Sequence, residues 1–149
     1  VLTKPLSAYA EALRTVRTAI HFSNVDAPPK VVIVTSSVPG EGKTTFCVSL
    51  GRVLAKGGNK VLLIDADMRR PRVRTQSGAD TSKPDLAQVL AGEAPASAAV
   101  QKDASGMDMI IAHTKAPNPQ DLLASQQMER LIQNLRGSYD LVIIDTPPV

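Results

Sequence analysis

Short apolar runs punctuate this chain, and helix-patterned stretches lie between them. Val31–Val34, Val61–Ile64 and Leu141–Ile144 are continuous apolar runs, the pattern of parallel strands buried on both faces. Met107–Ala112 predicts a further strand. Between them the period turns helical. Lys43–Lys56 places Phe46, Leu50, Val53 and Leu54 on its inner face and stops at Gly57 and Gly58. Asp85–Leu90 reads as a short helix closed by Gly92, and Gln120–Ala124 as a single turn after the break at Pro117 and Pro119. Ser125 caps a helix with Met128, Leu131, Ile132 and Leu135 inward, ended by Gly137. Upstream, Ser7–His21 predicts a helix whose apolar face carries Tyr9, Leu13, Val16 and Ile20, followed by a proline-containing linker to Lys30. Asp65–Ser82 is polar and basic and is expected to be a mobile loop. Strands alternating with helices predict an α/β fold on a parallel sheet with right-handed crossovers.

Composition narrows this picture only slightly. At 149 residues the chain suits one domain with a substantial core. The net charge of +3 fits a phosphate ligand or an anionic surface and is too small to argue for nucleic acid. Basic residues are dispersed and aromatic stacking residues few, so no nucleic-acid partner is expected. Cys47 stands alone, which rules out a disulfide framework or zinc cluster within one chain; a small buried hydrophobe is its expected role. No apolar run approaches the roughly 20 residues of a membrane span, and no signal-peptide pattern is present, so a reducing, cytosolic setting is the default expectation. The chain opens on Val1 and closes just after Asp145–Pro148, which reads as a piece cut at both ends.

The chemistry concentrates where strands end. Val31–Val34 runs into Thr35–Thr45, a glycine-containing turn followed by Lys43 and Thr44 at a helix start. That is the layout of a phosphate-binding loop. Gly40 and Gly42 let backbone N–H groups turn toward one anionic point, with Lys43 reaching the β- and γ-phosphates and the Thr44 hydroxyl ligating Mg²⁺, so Val38, Pro39, Gly40, Glu41, Gly42, Lys43, Thr44 and Thr45 are the candidate nucleotide-binding residues. Ser37 stands where the usual motif opens with Gly. Two further apolar runs end in acid: one in Asp65 and Asp67, the other in Asp145. One aspartate after a strand is most often a turn or cap residue. Three, at the carboxyl edge of one sheet where ligands bind, are expected to converge near Lys43 and Thr44. In this reading Asp145 holds Mg²⁺ through water, while of Asp65 and Asp67 one activates the nucleophile and the other supports the metal shell.

With these motifs the chain resembles the bacterial tyrosine kinases of polysaccharide export systems, over nearly its whole length. The Walker A-like loop is Ser37–Thr44, the additional Walker A′ motif matches Leu62–Arg69 and continues through Arg70 and Pro71, and Walker B matches Val142–Pro148. Pro117–Leu123 also resembles the family's segment, and Glu11, Arg14 and Arg17 fit the E-x-x-R-x-x-R signature by which these kinases assemble into rings. A Glu and two Arg at that spacing are, by themselves, most often a solvated helix face. The resemblance implies a three-layer, P-loop NTPase-type fold with a mainly parallel sheet, truncated after the Walker B strand. Residues 1–30 would be an oligomerisation helix and linker, and 31–149 the P-loop core of a partial kinase domain without its C-terminal part. It implies ATP and Mg²⁺ as cofactors, with Lys43, Asp65, Asp67 and Asp145 catalytic; Thr44, Asp67 and Asp145 serve the metal, and Asp65 activates the acceptor hydroxyl. Arg69 and Arg70 either meet phosphate or acidic acceptor residues or form a basic surface turn. The implied partners are further copies in a ring, protein tyrosines, and a transmembrane chain-length regulator, fused or separate. The implied location is the cytoplasmic side of the membrane. The family's tyrosine cluster and later strands have no counterpart in this sequence; Tyr9 and Tyr139 read as core or edge residues, and Arg74 stands where the family often has His.

Two other readings use the same motifs. One is a non-kinase ATPase of the ParA/MinD or Mrp type. Val38 stands where ParA/MinD proteins carry a second lysine, and a lone Cys47 does not supply the cysteine pair of an iron–sulfur carrier. The other is a nucleotide-dependent regulatory subunit of a membrane export complex, without kinase activity.

Overall fold

The computed structural model describes residues 30–35, 42–68, 73, 77–113 and 118–146. The expected helix Ser7–His21 and its linker lie outside them, apart from Lys30. Within them five strands form one sheet: β1 (Val31–Val34), β2 (Val61–Asp65), β3 (Gln101–Lys102), β4 (Asp108–Ile110) and β5 (Leu141–Asp145). The order is β1-β5-β2-β4-β3. Pairing is parallel throughout except where β3 runs antiparallel to β4. Among the described residues these helices connect them: α1 (Lys43–Lys56), α2 (Leu86–Leu90), α3 (Ala96–Ala99), α4 (Pro119–Leu123) and α5 (Gln126–Arg136).

Side-chain alternation along the strands splits the core into two layers. Leu62 and Ile64 of β2 and Val142 and Ile144 of β5 pack with Leu86 and Leu90 of α2 and Met128 and Leu131 of α5. Val61 and Leu63, with Leu141 and Ile143, pack on the opposite face against Cys47, Val48, Leu50 and Leu54 of α1. Every residue of β2 and β5 is buried. Each fully buried aliphatic side chain stabilises the fold by about 1.5–3 kcal/mol relative to exposure. These two central strands therefore form the rigid base from which the strand-end residues project.

The elements end as local chemistry requires. Gly57 and Gly58 close α1, with Gly58 at φ +93°. The Ser125 hydroxyl accepts from the Met128 amide at the start of α5. Asp85 caps α2 in a reciprocal capping box with Gln88.

Three expectations need correction. β1 is not buried on both faces: Ile33 is 64% exposed, because β1 lies at the rim and, among the described residues, pairs only with β5. Phe46 and Val53 are only partly buried, at the margin of the α1 layer. The stretch Asp65–Ser82, read as a mobile polar loop, contributes buried Ala66, Met68 and Val73 to the two cores. The antiparallel β3 and the short α3 had no distinct sequence signal, since two residues of strand are too few to show a period.

α1 approaches the sheet closely at Gly51. A Cβ there would overlap the Met107 sulfur and touch Ile143. Met107 is fully buried and cannot swing into solvent. Gly51→Val is therefore expected to lower unfolding free energy by about 1–3 kcal/mol from overpacking, read as an earlier urea midpoint. An unchanged midpoint would mean that α1 does not sit this close.

Candidate nucleotide-binding site

The register sets three strand ends side by side. Val34 of β1 pairs with Asp145 of β5, which pairs on its other side with Asp65 of β2. The Ala66 amide donates to the Asp145 carbonyl at 2.8 Å, and Thr146 donates its amide and hydroxyl to the Val34 carbonyl at 3.0 and 2.9 Å. The carboxyl edge is thus fastened strand to strand immediately beyond the last ladder pairs.

α1 starts at this edge. Its N-cap, Gly42, has φ +75°, a left-handed conformation that suits glycine, and offers no side chain to cap the first-turn amides. A 14-residue helix with an uncapped N-terminus presents those amides and its positive dipole end to an anion. Lys43 and Thr44 form its first turn. The Lys43 ammonium pairs with Asp145 Oδ1, both side chains being nearly excluded from solvent. The Thr44 hydroxyl, also buried, donates to Asp145 Oδ2 at 2.9 Å. One carboxylate therefore gathers the two loop residues expected to bind phosphate and metal.

Asp65 has a different environment. It is fully buried; Oδ1 accepts from the Asp67 amide at 3.1 Å and Oδ2 from the Val73 amide at 3.3 Å. Burial and the adjacent Asp145 charge push its carboxyl up to about 8, and the two amide bonds only partly oppose them. Asp67 is buried as well. Among the described residues, no three His, Cys, Asp or Glu side chains form a metal-holding group, so the three aspartates do not make an all-carboxylate cage. A buried hydroxyl and one carboxylate oxygen are hard donors that suit Mg²⁺, which keeps water and phosphate oxygens for its remaining positions.

Thr45 is exposed beside Thr44. Val38, Pro39, Gly40 and Glu41 of the loop lie outside the described residues, as do Arg69, Arg70, Arg74 and the segment Glu11, Arg14 and Arg17. The Cys47 thiol is pushed up to about 12, chiefly by burial, so it remains a protonated core side chain. The Tyr139 hydroxyl donates to Asp108 Oδ2 at 2.7 Å, which fits an edge residue. Burial and that carboxylate raise the Tyr139 phenol above its ordinary range.

Sequence reading missed two polar groups near the same edge. The Gln101 side chain accepts from the Asp80 amide at 2.8 Å and donates to the Asp80 carbonyl at 3.0 Å. Asp85 accepts from the His113 amide at 3.0 Å, just beyond β4. The Asp85-x-x-Gln88 spacing was a readable capping-box signal; the contacts of Gln101 and His113 are long-range and leave no local pattern.

Comparison with known proteins matches residues 29–149 to a family described as an AAA domain. Tyrosine-protein kinase YwqD of Bacillus subtilis (strain 168) is 41% identical over 149 residues, covering 99% of this chain and 62% of that protein. The solved kinase domain of Escherichia coli tyrosine kinase ETK superposes with a TM-score of 0.88 at 34% identity, over 93% of this chain and 55% of that one. Cobyrinic acid a,c-diamide synthase from Mycobacterium smegmatis, solved with an ATP analog and magnesium, superposes with a TM-score of 0.70 at 30% identity, over 80% of this chain and 52% of that one. The chain spans 62% of the length of YwqD and 18% of that of the tyrosine-protein kinase EpsB of Ralstonia solanacearum, to which it is 41% identical over 93% of this chain.

Proposed function

This chain belongs to the AAA domain family, in the form found in bacterial tyrosine-protein kinases, and from that premise we propose that it is the nucleotide-binding part of an ATP- and Mg²⁺-dependent protein-tyrosine autokinase. The observation that carries the reading is the joining of Lys43 and Thr44 to Asp145 at the carboxyl edge of the sheet. Lys43 exchanges Asp145 for the β- and γ-phosphate oxygens. The Thr44 hydroxyl and Asp145, with Asp67, would hold Mg²⁺. When bound, the metal neutralises phosphate charge and orients the transferred group. Asp65 takes the proton of the acceptor phenol as its oxygen forms the new P–O bond and the bond to the nucleotide breaks. An unperturbed phenol titrates near pH 10, so a base of ordinary aspartate strength serves it poorly. A carboxyl pushed up to about 8 is better matched to the task.

The kinase reading has stronger support than the non-kinase ATPase reading, because the kinase domain superposes more closely than the synthase. The direct test is phosphotyrosine formation by the full-length parent protein with ATP and Mg²⁺. Signal that requires both is the expected result. ATP hydrolysis without phosphotyrosine would move the assignment to an ATPase or nucleotide switch.

The parent protein is further proposed to form rings through Glu11, Arg14 and Arg17 and to act in polysaccharide export with a transmembrane regulator, fused or separate, at the inner face of the membrane. Among the described residues no helix is long and apolar enough to cross a membrane. Arg14→Ala with Arg17→Ala in the parent should shift its light-scattering mass toward the monomer; an unchanged mass rejects that interface.

A further inference from the structure

The amino edge of the sheet, opposite the nucleotide site, gathers positive charge. Lys30 stands immediately before β1 and Lys60 immediately before β2, and the chain entering β5 runs between them. The Val142 amide donates to the Lys30 carbonyl at 2.7 Å and the Asp140 amide to the Lys60 carbonyl at 2.7 Å. Neighbouring strands lie about 4.8 Å apart, so the two lysine backbones are about 10 Å apart. Lys56 ends α1 on one face of the sheet, Arg136 ends α5 on the other, and Lys102 ends β3 opposite the start of β4. All of these cations are exposed. The acids of this edge offset them only in part. The buried Asp103 carboxylate pairs with Arg52 at 2.8 Å, and Asp108 is shared by Lys102 and the Tyr139 hydroxyl. Asp140 is exposed and accepts from the Lys60 amide at 2.8 Å. Among the described residues, Lys30, Lys56, Lys60 and Arg136 enter no ion pair.

Helix ends alone do not account for this charge. A basic residue in a last turn is favoured by the helix dipole, which explains Lys56 and Arg136 one at a time. Lys30, Lys60 and Lys102 stand at strand ends, where sheet dipoles are small. Together the cations span all three layers and form an end-on face rather than a groove. Charges about 10 Å apart lie within a Debye length at moderate salt, so their fields add. Single-stranded nucleic acid is held by a basic groove lined with stacking rings. The ring at this edge, Tyr139, is partly buried and its hydroxyl is committed to Asp108. Lysine is a mobile point charge, suited to diffuse negative charge rather than to one fixed oxyanion. An anionic bilayer offers diffuse charge, and each Lys or Arg near it adds about fivefold in affinity. We propose that the amino edge is a docking face for an anionic lipid surface. Docked this way, the nucleotide site faces away from the lipid, because the five-residue strands β2 and β5 hold the two edges about 17 Å apart. The inference rests on the membrane setting proposed above and not on phosphotransfer.

The experiment presents the full-length parent protein to vesicles of phosphatidylcholine, with or without phosphatidylglycerol, reconstituting it where it carries a membrane span. Hydrogen exchange reads the edge without requiring activity. Amides of residues 57–60 and 137–140 are expected to exchange about fivefold more slowly on the anionic vesicles than on the neutral ones, while those of residues 42–46 exchange alike on both. Added salt should erase the difference. So should Lys56→Gln, Lys60→Gln and Arg136→Gln combined, which lower lipid affinity about 100-fold and, at exposed positions, leave the urea midpoint near that of the parent. Slowing that survives both treatments would overturn the role of these cations. Equal exchange on the two vesicles, in a parent held at the membrane by its regulator, would overturn the docking face and leave the location standing. Slowing at residues 42–46 instead would overturn the orientation. Slowing by single-stranded RNA and not by anionic vesicles would assign the edge to nucleic acid and overturn lipid docking. A parent that docks as expected yet makes no phosphotyrosine would remove the kinase reading and leave this face in place.

Discussion

Lys43→Ala is expected to remove phosphotyrosine formation from the parent protein, with at least a ~10³-fold loss, and to abolish measurable ATP binding. Loss of one preorganised charge that stabilises a developing anion costs on this scale in buried sites. Here the effect is compounded. Lys43 is the cation paired with Asp145, and both are nearly excluded from solvent. Removing it leaves Asp145 beside Asp65 with no ammonium to offset either, and breaking one partner of a buried pair costs about 3–5 kcal/mol. The variant should therefore also unfold earlier. Binding of a fluorescent ATP analogue, measured well below the unfolding transition, separates the two effects. Parental affinity in the folded variant would show that the phosphates bind elsewhere.

Asp65→Asn is expected to leave nucleotide affinity near that of the parent and to lower phosphotransfer by about 10²–10⁴-fold, the range for losing a general base. Equal loss of binding and transfer would refute its role as activator. The same residue gives a pH signature. With the carboxyl pushed up to about 8, the base form grows as pH rises from 6.5 to 8.5, so the parent should gain rate over that interval and the variant should not. Stability moves the other way. The folded-state value lies above the unfolded one near 3.9, so the folded protein binds the extra proton between those values. Its contribution is full below about pH 4 and is lost as pH rises through about 8. Relative to Asp65→Asn, the parent should lose on the order of 2–4 kcal/mol between pH 5 and 8.5. Parallel pH–stability curves for the two proteins would contradict the buried, proton-holding environment.

Much of this architecture is legible from local pattern. The runs Val61–Ile64 and Leu141–Ile144 read as buried strands because both faces are covered, and α1 spans Lys43–Lys56 as its period and terminal glycines require. The candidate site is legible because its chemistry sits at strand ends: Asp145 lies over a hundred residues from the adjacent Lys43 and Thr44 in sequence, yet meets both in the fold. What the pattern could not supply was register and edge. Ile33 looks like Ile64 in sequence, yet one lies at the rim and the other at the centre. Likewise, the Asp65 carboxyl is held by amides up to eight residues onward, a contact set by the path of a loop that no periodicity describes.

The joint hold of Lys43 and Thr44 on one carboxylate has a thermodynamic corollary. The oxygens that a metal ion needs are already claimed, one by an ammonium and one by a hydroxyl. On the proposed reading, a nucleotide that drew Lys43 onto its phosphates would release one of those oxygens, so the two ligands would favour each other's arrival. Reciprocity then fixes the size of the effect in both directions: whatever factor the nucleotide adds to metal affinity, the metal returns to the nucleotide. On the proposed reading, such a pocket would bind free cations poorly and respond to the complexed pair, a cooperative reader of metal–nucleotide rather than of either alone.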